Sequence, residues 1–226
     1  MPAPEREVTS GDYVAGGRRV GDVPRTTAST GRDPVRRAVA RRSGPPAAWW
    51  GMAMFVVSEG VLFGAFVGTF FYLRFNNPVW PPHGDPEPKI VIPLVMVAVL
   101  TTTSVLMHAA WRAVREGLLG LTRALVVAAL VIQSGYFAYE ADDFGNQLRE
   151  LPISRNAYSS IHYVLLGADH AHVFVGILFD LWLVWKLARG ITTYRANALQ
   201  AITWYTHFVN VLTWVVILAV TSPAFA

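Results

Sequence analysis

The chain has 226 residues, of which 53% are hydrophobic and 15% charged, with a mean hydropathy of +0.36. A water-soluble domain of this length carries more charge, so the composition points to a membrane protein. The absence of cysteine excludes disulfides, zinc–thiolate sites and iron–sulfur clusters, and the formal charge of +4 is concentrated ahead of residue 43.

Residues 1–44 are polar and rich in Gly, Pro, Ser, Thr and Arg, and show no apolar periodicity. They read as a flexible, arginine-rich tail, separate from a membrane domain over 45–226. The tail ends in "RDPVRRAVARRSGPP", with five arginines from Arg32 to Arg42. No apolar core precedes Pro45, so a cleaved secretory leader is not expected. The tail lacks interleaved aromatics. It suits anionic lipid better than nucleic acid, and no nucleic-acid partner is expected.

Five apolar spans follow, over about residues 47–73, 90–111, 118–139, 158–187 and 198–221. Each reaches the roughly 20 residues needed to cross the hydrocarbon, and such runs must satisfy their own backbone groups as helices. The expected fold is therefore all-α, a bundle of five transmembrane helices. Arg112, Arg115 and Arg123 flank one loop and Lys186, Arg189 and Arg195 another; both fall on the side of the arginine-rich tail. The opposite loops are "NNPVWPPHGDPEPK" and the acidic "EADDFGNQLRELPISR". The positive-inside rule puts the N-terminus in the cytoplasm and the C-terminus outside.

Polar residues within the spans carry the information, because each costs a few kcal/mol (about 2.5–3.5 for a charge at mid-span) unless it is paired or faces protein. They are Glu59, His108, Gln133, His162, Asp169, His170, His172, Asp180, His207 and Asn210. Glu59 reads either as a neutral acid hydrogen-bonded to a neighbouring helix or as a residue of a proton pathway or partner contact. His170 and His172 are two apart and point to different helix faces, so they do not share a metal without distortion. Asp169 shares a stripe with His162 and with His172, a placing that allows a hydrogen bond between His162 and Asp169. A haem or metal reading needs His108 or His207 from other spans. The plainer reading is polar glue between packed helices. Gly60, Gly64 and Gly68 repeat every four residues, a ridge suited to close helix packing. Trp49, Trp50, Trp80 and Trp204 lie near span ends, as interfacial anchors do. No phosphate-binding glycine loop, HExxH or serine elbow is present.

Four stretches resemble the cytochrome c oxidase subunit III family of the haem–copper oxidases, in its five-helix form. "GMAMFVVSEGVLFGAFVGTFFY" (51–72) is similar to the family's helix with a Ser-Glu pair. "AYSSIHYVLLGADHAHVFVGILF" (157–179) is similar to the helix with a His-x-x-His-Val-x-x-Gly motif, which ends here at Gly176. "WYTHFVNVLTWVVIL" (204–218) is similar to the last helix with its Trp-His-Phe-Val-Asp run, and "QSGYFAYEA" resembles the Gln-x-x-Glu-Tyr region more loosely. Asp169 stands where the motif has its first His, Asn210 where it has Asp, and Tyr136 where it has Glu. These departures mark a divergent branch, and leave an accessory subunit of a quinol oxidase or nitric oxide reductase as an alternative. The resemblance implies a non-catalytic subunit of an O2-reducing, proton-pumping respiratory complex in a bacterial cytoplasmic membrane. Haem and copper would lie in partner subunits, and none in this chain. It further implies contact with subunit I, a place in one complex with subunit II, support of proton uptake, and phospholipid held in a cleft. On that reading Glu59, Asp169, His172, His207 and Asn210 are buried polar or interface residues. Glu59 and Lys186 are lipid-binding candidates, and Gly60, Gly64, Gly68 and Gly176 pack helices. Two other classes are weighed: a haem- or metal-binding enzyme using His108, His170, His172 and His207, and a proton channel built on Glu59.

Overall fold

The computed structural model describes residues 47–86, 88–190 and 193–222. The arginine-rich tail over 1–44 lies outside them. Five helices account for nearly all of this: α1 Ala47–Phe75, α2 Val91–Arg115, α3 Leu119–Glu150, α4 Ala157–Ala188 and α5 Thr193–Thr221. All five are long and apolar enough to cross a membrane. Among the described residues there is no strand.

Helices α2, α3, α4 and α5 form a closed ring in which each packs on its two neighbours, while α1 packs outside the ring, against α4 and α5 only. Two apolar clusters fill the ring. One joins Met107, Val126, Leu183, Leu187 and Leu199 near the end rich in Arg and Lys, called here the basic end. The other joins Leu100, Tyr136, Val173, Tyr205 and Val209 at mid-height. A third seats α1, through Phe63 and Phe70, on Leu165, Leu212, Val216 and Val220.

The helix ends explain where the chain turns. At the basic end, Gly117 and Gly190 take φ of +76° and +101°, the left-handed conformation that ends a helix at little cost to glycine. Arg123 of α3 donates from Nε and Nη2 to the Leu187 carbonyl, at 3.0 and 2.7 Å, and so caps the last turn of α4. At the opposite, acidic end, α4 starts in a capping box. The Asn156 side chain accepts from the Ser159 amide at 2.8 Å, and the Ser159 hydroxyl accepts from the Asn156 amide at 3.2 Å. Asn156 also donates to Asp85, which pairs with Arg155 at 2.8 Å, so the α1–α2 loop is fastened to the α3–α4 turn.

Two expectations need correction. Helix α3 does not stop at residue 139 with its apolar run but continues to Glu150. The polar extension "EADDFGNQLRE" keeps Gln147 and Asp143 on an inner face, where Gln147 donates to Asp143 and its amide oxygen faces His162. Trp80 is not an exposed interfacial anchor. It is partly buried, edge-on to Phe70 and Tyr158 with centroids 5.7 and 5.1 Å apart.

Candidate functional site

The polar residues read from the sequence gather around one turn of α4, "DHAH", residues 169–172. A helix advances 100° per residue, so positions 169, 170 and 172 face three directions. Each meets a different neighbour. Asp169 is 1% exposed and its Oδ1 accepts from the Thr213 hydroxyl of α5 at 2.8 Å. His170 faces Glu140 of α3, with Nε2 3.8 Å from Oε2. His172 faces Glu59 of α1, with Nε2 3.2 Å from Oε2. One turn thus ties α4 to α3, α5 and α1 together.

Hydrogen-bond chemistry fixes part of the protonation. His172 Nδ1 lies 2.8 Å from the Ala168 carbonyl, and a carbonyl only accepts, so Nδ1 carries hydrogen. Nε2 of the neutral ring is then an acceptor, facing a carboxyl oxygen at 3.2 Å. Two acceptors do not attract each other. The contact is a hydrogen bond only if one proton sits between them, on Glu59 or on the ring. With one proton between them the pair would carry no net charge, an arrangement that would make an acid tolerable in the middle of α1. Phe63 packs edge-on to His172 with centroids 5.1 Å apart and covers the pair from one side.

The same turn is braced through its backbone. Gln133 of α3 donates to the Val173 carbonyl at 3.0 Å, and the Tyr205 hydroxyl of α5 donates to the His172 carbonyl at 2.8 Å. Gly176 leaves room for both. A Cβ there would collide with Gln133 Nε2 and stand 3.5 Å from the Tyr205 ring. Asn210 serves a different seam. Its Nδ2 donates to Ser104 of α2 at 2.6 Å and to the Thr206 carbonyl at 3.0 Å. Beside it, the Trp214 indole donates to Thr101 of α2 at 2.9 Å.

Several sequence-predicted residues lie elsewhere. His162 does not bond Asp169: it bonds Gln147 at 3.3 Å, because the extra turns of α3 bring that amide within reach. His207 is half-buried and faces His108 across the α2–α5 seam, with ring centroids 5.9 Å apart. Lys186 lies over the rings of Trp185 and Trp182, at 4.6 and 5.5 Å, with its ammonium at the basic end. Gly60, Gly64 and Gly68 pack against no other helix among the described residues. All three are exposed, and nothing lies within 4 Å of a Cβ built on any of them. The ridge is on α1 as expected, but it points away from the bundle.

The four histidines weighed as ligands are not brought together. His172 and His170 serve different seams and His108 pairs with His207. Among the described residues no group of three or more His, Asp or Glu is placed to hold a metal ion. Glu140 was not legible as a site residue, because it lies one residue beyond the apolar run, in a stretch that reads as an acidic loop. Tyr205 and Thr213 gave no signal, being ordinary residues of an apolar span.

What the fold and this turn define is a multi-pass helical membrane protein, held together by polar contacts that converge on one helix. The sequence profile of the family described as "Cytochrome c oxidase subunit III" matches residues 44–222. Similar chains include cytochrome c oxidase subunit 3 of Synechocystis sp., 28% identical over 182 residues that cover 76% of this chain and 74% of that protein. The subunit 3 of Thermostichus vulcanus is 27% identical, covering 74% and 82%. That of Myxine glutinosa is 30% identical, covering 72% and 64%. The chain belongs to the cytochrome c oxidase subunit III family, and is accordingly a subunit of a multi-subunit oxidase.

Proposed function

We propose that this chain is a non-catalytic, structural subunit of a terminal oxidase that reduces O2 to water and pumps protons. It packs directly on subunit I, sustains proton uptake there, and holds phospholipid in a cleft. Haem and copper belong to the partner subunits. The observation that carries the reading is the outward face of α1. Gly60, Gly64 and Gly68 are bare, and Met54, Val57 and Val61 are 74%, 66% and 70% exposed beside them. A small-residue ridge flanked by apolar side chains suits a close-approaching helix of another subunit, or acyl chains. Behind it, the Glu59–His172 pair fixes α1 to α4. The cluster of Arg and Lys at the basic end supports a cytoplasmic placing of that end, in a bacterial inner membrane, with the C-terminus outside.

Mild-detergent capture of the chain tests this. Haem bands in the captured complex and none in the separated chain are expected. Haem in the separated chain would overturn the reading. In the same complex, Glu59→Ala is expected to leave the chain inserted while lowering complex yield or shortening the oxidase's working lifetime. Unchanged yield together with an unchanged lifetime would remove Glu59 from the proposed role.

A further inference from the structure

At the acidic end, the ring of α2–α5 encloses a cavity of about 100 Å³. Its wall runs from exposed Lys89 and Glu150 at the helix ends down to buried Glu140 and Leu166. The lining is mainly apolar, but several polar side chains face into it. Asp143, which pairs with Lys89 at 3.3 Å, Gln147 and His162 all contribute. Two buried atoms of lining residues, His162 Nδ1 and the Tyr163 hydroxyl, have no hydrogen-bond partner. A cavity of this size has room for water, and the orphaned atoms together with Asp143 and Gln147 give it polar partners. Glu140 forms its inner limit and stands between it and His170.

The chemistry of His170 makes that boundary informative. Its Nδ1 lies 2.5 Å from the Leu166 carbonyl and so carries hydrogen. Its Nε2 is buried, unpartnered, and 3.8 Å from Glu140 Oε2. That distance is too long for a hydrogen bond, but two acceptors this close in a buried seam are stabilised by a proton between them. Unlike Glu59, Glu140 lines a cavity with polar groups in its wall, from which a proton can come. We propose that the cavity is a proton-exchange port. Its water transfers a proton to a Glu140 oxygen, and the new O–H turns to donate to His170 Nε2. The pair then holds one proton, and gives it back to cavity water by the reverse step. Nothing is oxidised or reduced, and the ring keeps its Nδ1–H on Leu166. The port rests on the cavity and on the Glu140–His170 contact, not on the proposed role of α1.

Infrared spectra of the assembled oxidase, taken during exchange from H2O into D2O, test it. The expected result is one exchangeable signal from the pair, a carboxyl C=O stretch or an imidazolium ring mode. It is lost in Glu140→Gln and shifts in His170→Asn. Ile92→Trp, at the half-exposed rim of the cavity, keeps the signal and slows its exchange severalfold. Persistence of the signal in Glu140→Gln would overturn the proposal, as would exchange that Ile92→Trp leaves unchanged. Should Glu140→Gln fail to assemble, His170→Asn decides: an unshifted spectrum counts against the pair.

Discussion

Helices α1 and α5 are both 29 residues long and both apolar, yet they are covered to very different extents. In the most apolar 18-residue window of each, 11% of α1 is buried and 61% of α5. α5 closes the ring and touches α1, α2 and α4, whereas α1 leans on α4 and α5 alone. The polar residues follow the same division. α5 spends Thr203, Tyr205, Thr213 and Asn210 on bonds to helices of its own chain. Among the described residues α1 makes two polar side-chain contacts outside itself, Glu59 to His172 in mid-span and Arg74 to Ser222 at its end. Hydropathy does not distinguish a helix wrapped by its own chain from one left to outside partners. The placing of polar and small residues does.

The largest effect is expected from filling the packed glycine. Gly176→Leu drives a side chain into Gln133 and against Tyr205, where the α4 turn is braced from two sides. Overpacking of this kind costs about 1–3 kcal/mol, and more where polar braces are displaced. Gly64→Leu, with nothing within 4 Å, is expected to leave the fold of the chain intact. It should act only where α1 meets another subunit or lipid. Thermal unfolding of the purified chain in detergent separates the two. Equal loss of stability in both variants would end the distinction between a ring glycine and an outward one.

A smaller effect is expected at Asn210, which joins α5 to α2 from a fully enclosed position. Asn210→Leu removes its bonds to Ser104 and Thr206 and leaves the Ser104 hydroxyl without that donor. Bonds between membrane helices average about 0.6 kcal/mol, with a maximum near 1.7, so a modest destabilisation is predicted. The Oδ1 of Asn210 is buried with no hydrogen-bond partner among the described residues, so losing that unsatisfied acceptor offsets part of the destabilisation. A loss as large as that of Gly176→Leu would show that polar bonds, not packing, dominate the ring.

These contrasts also mark what the sequence disclosed. Five apolar runs, an acid at 59 and a polar turn at 169–172 were legible, because hydropathy and intramembrane charge are properties of the residues themselves. The direction of the glycine ridge was not. A four-residue repeat defines a face of α1 but not which way that face turns, and that is set by Phe63 and Phe70 seating on α4 and α5. Partners were likewise invisible. Asp169 and His162 share a stripe, but Thr213 and Gln147, from other helices, bond them first. Glu140 escaped because the apolar run ends at Tyr139 while the helix runs on to Glu150.

The smallest effect is expected at the basic end of α4. Lys186 rests on Trp185 and Trp182 at the basic end of α4, and a lysine beside indoles at a span end suits the headgroup region. We expect Lys186→Ala to leave folding and assembly unchanged, since an exposed cation–π contact contributes only about 0.5–1 kcal/mol. It should lower occupancy by an anionic phospholipid, to which one lysine near the surface adds about 1 kcal/mol. Native mass spectrometry of the complex reads this directly. The same lipid occupancy in both proteins would mean that Lys186 binds no headgroup.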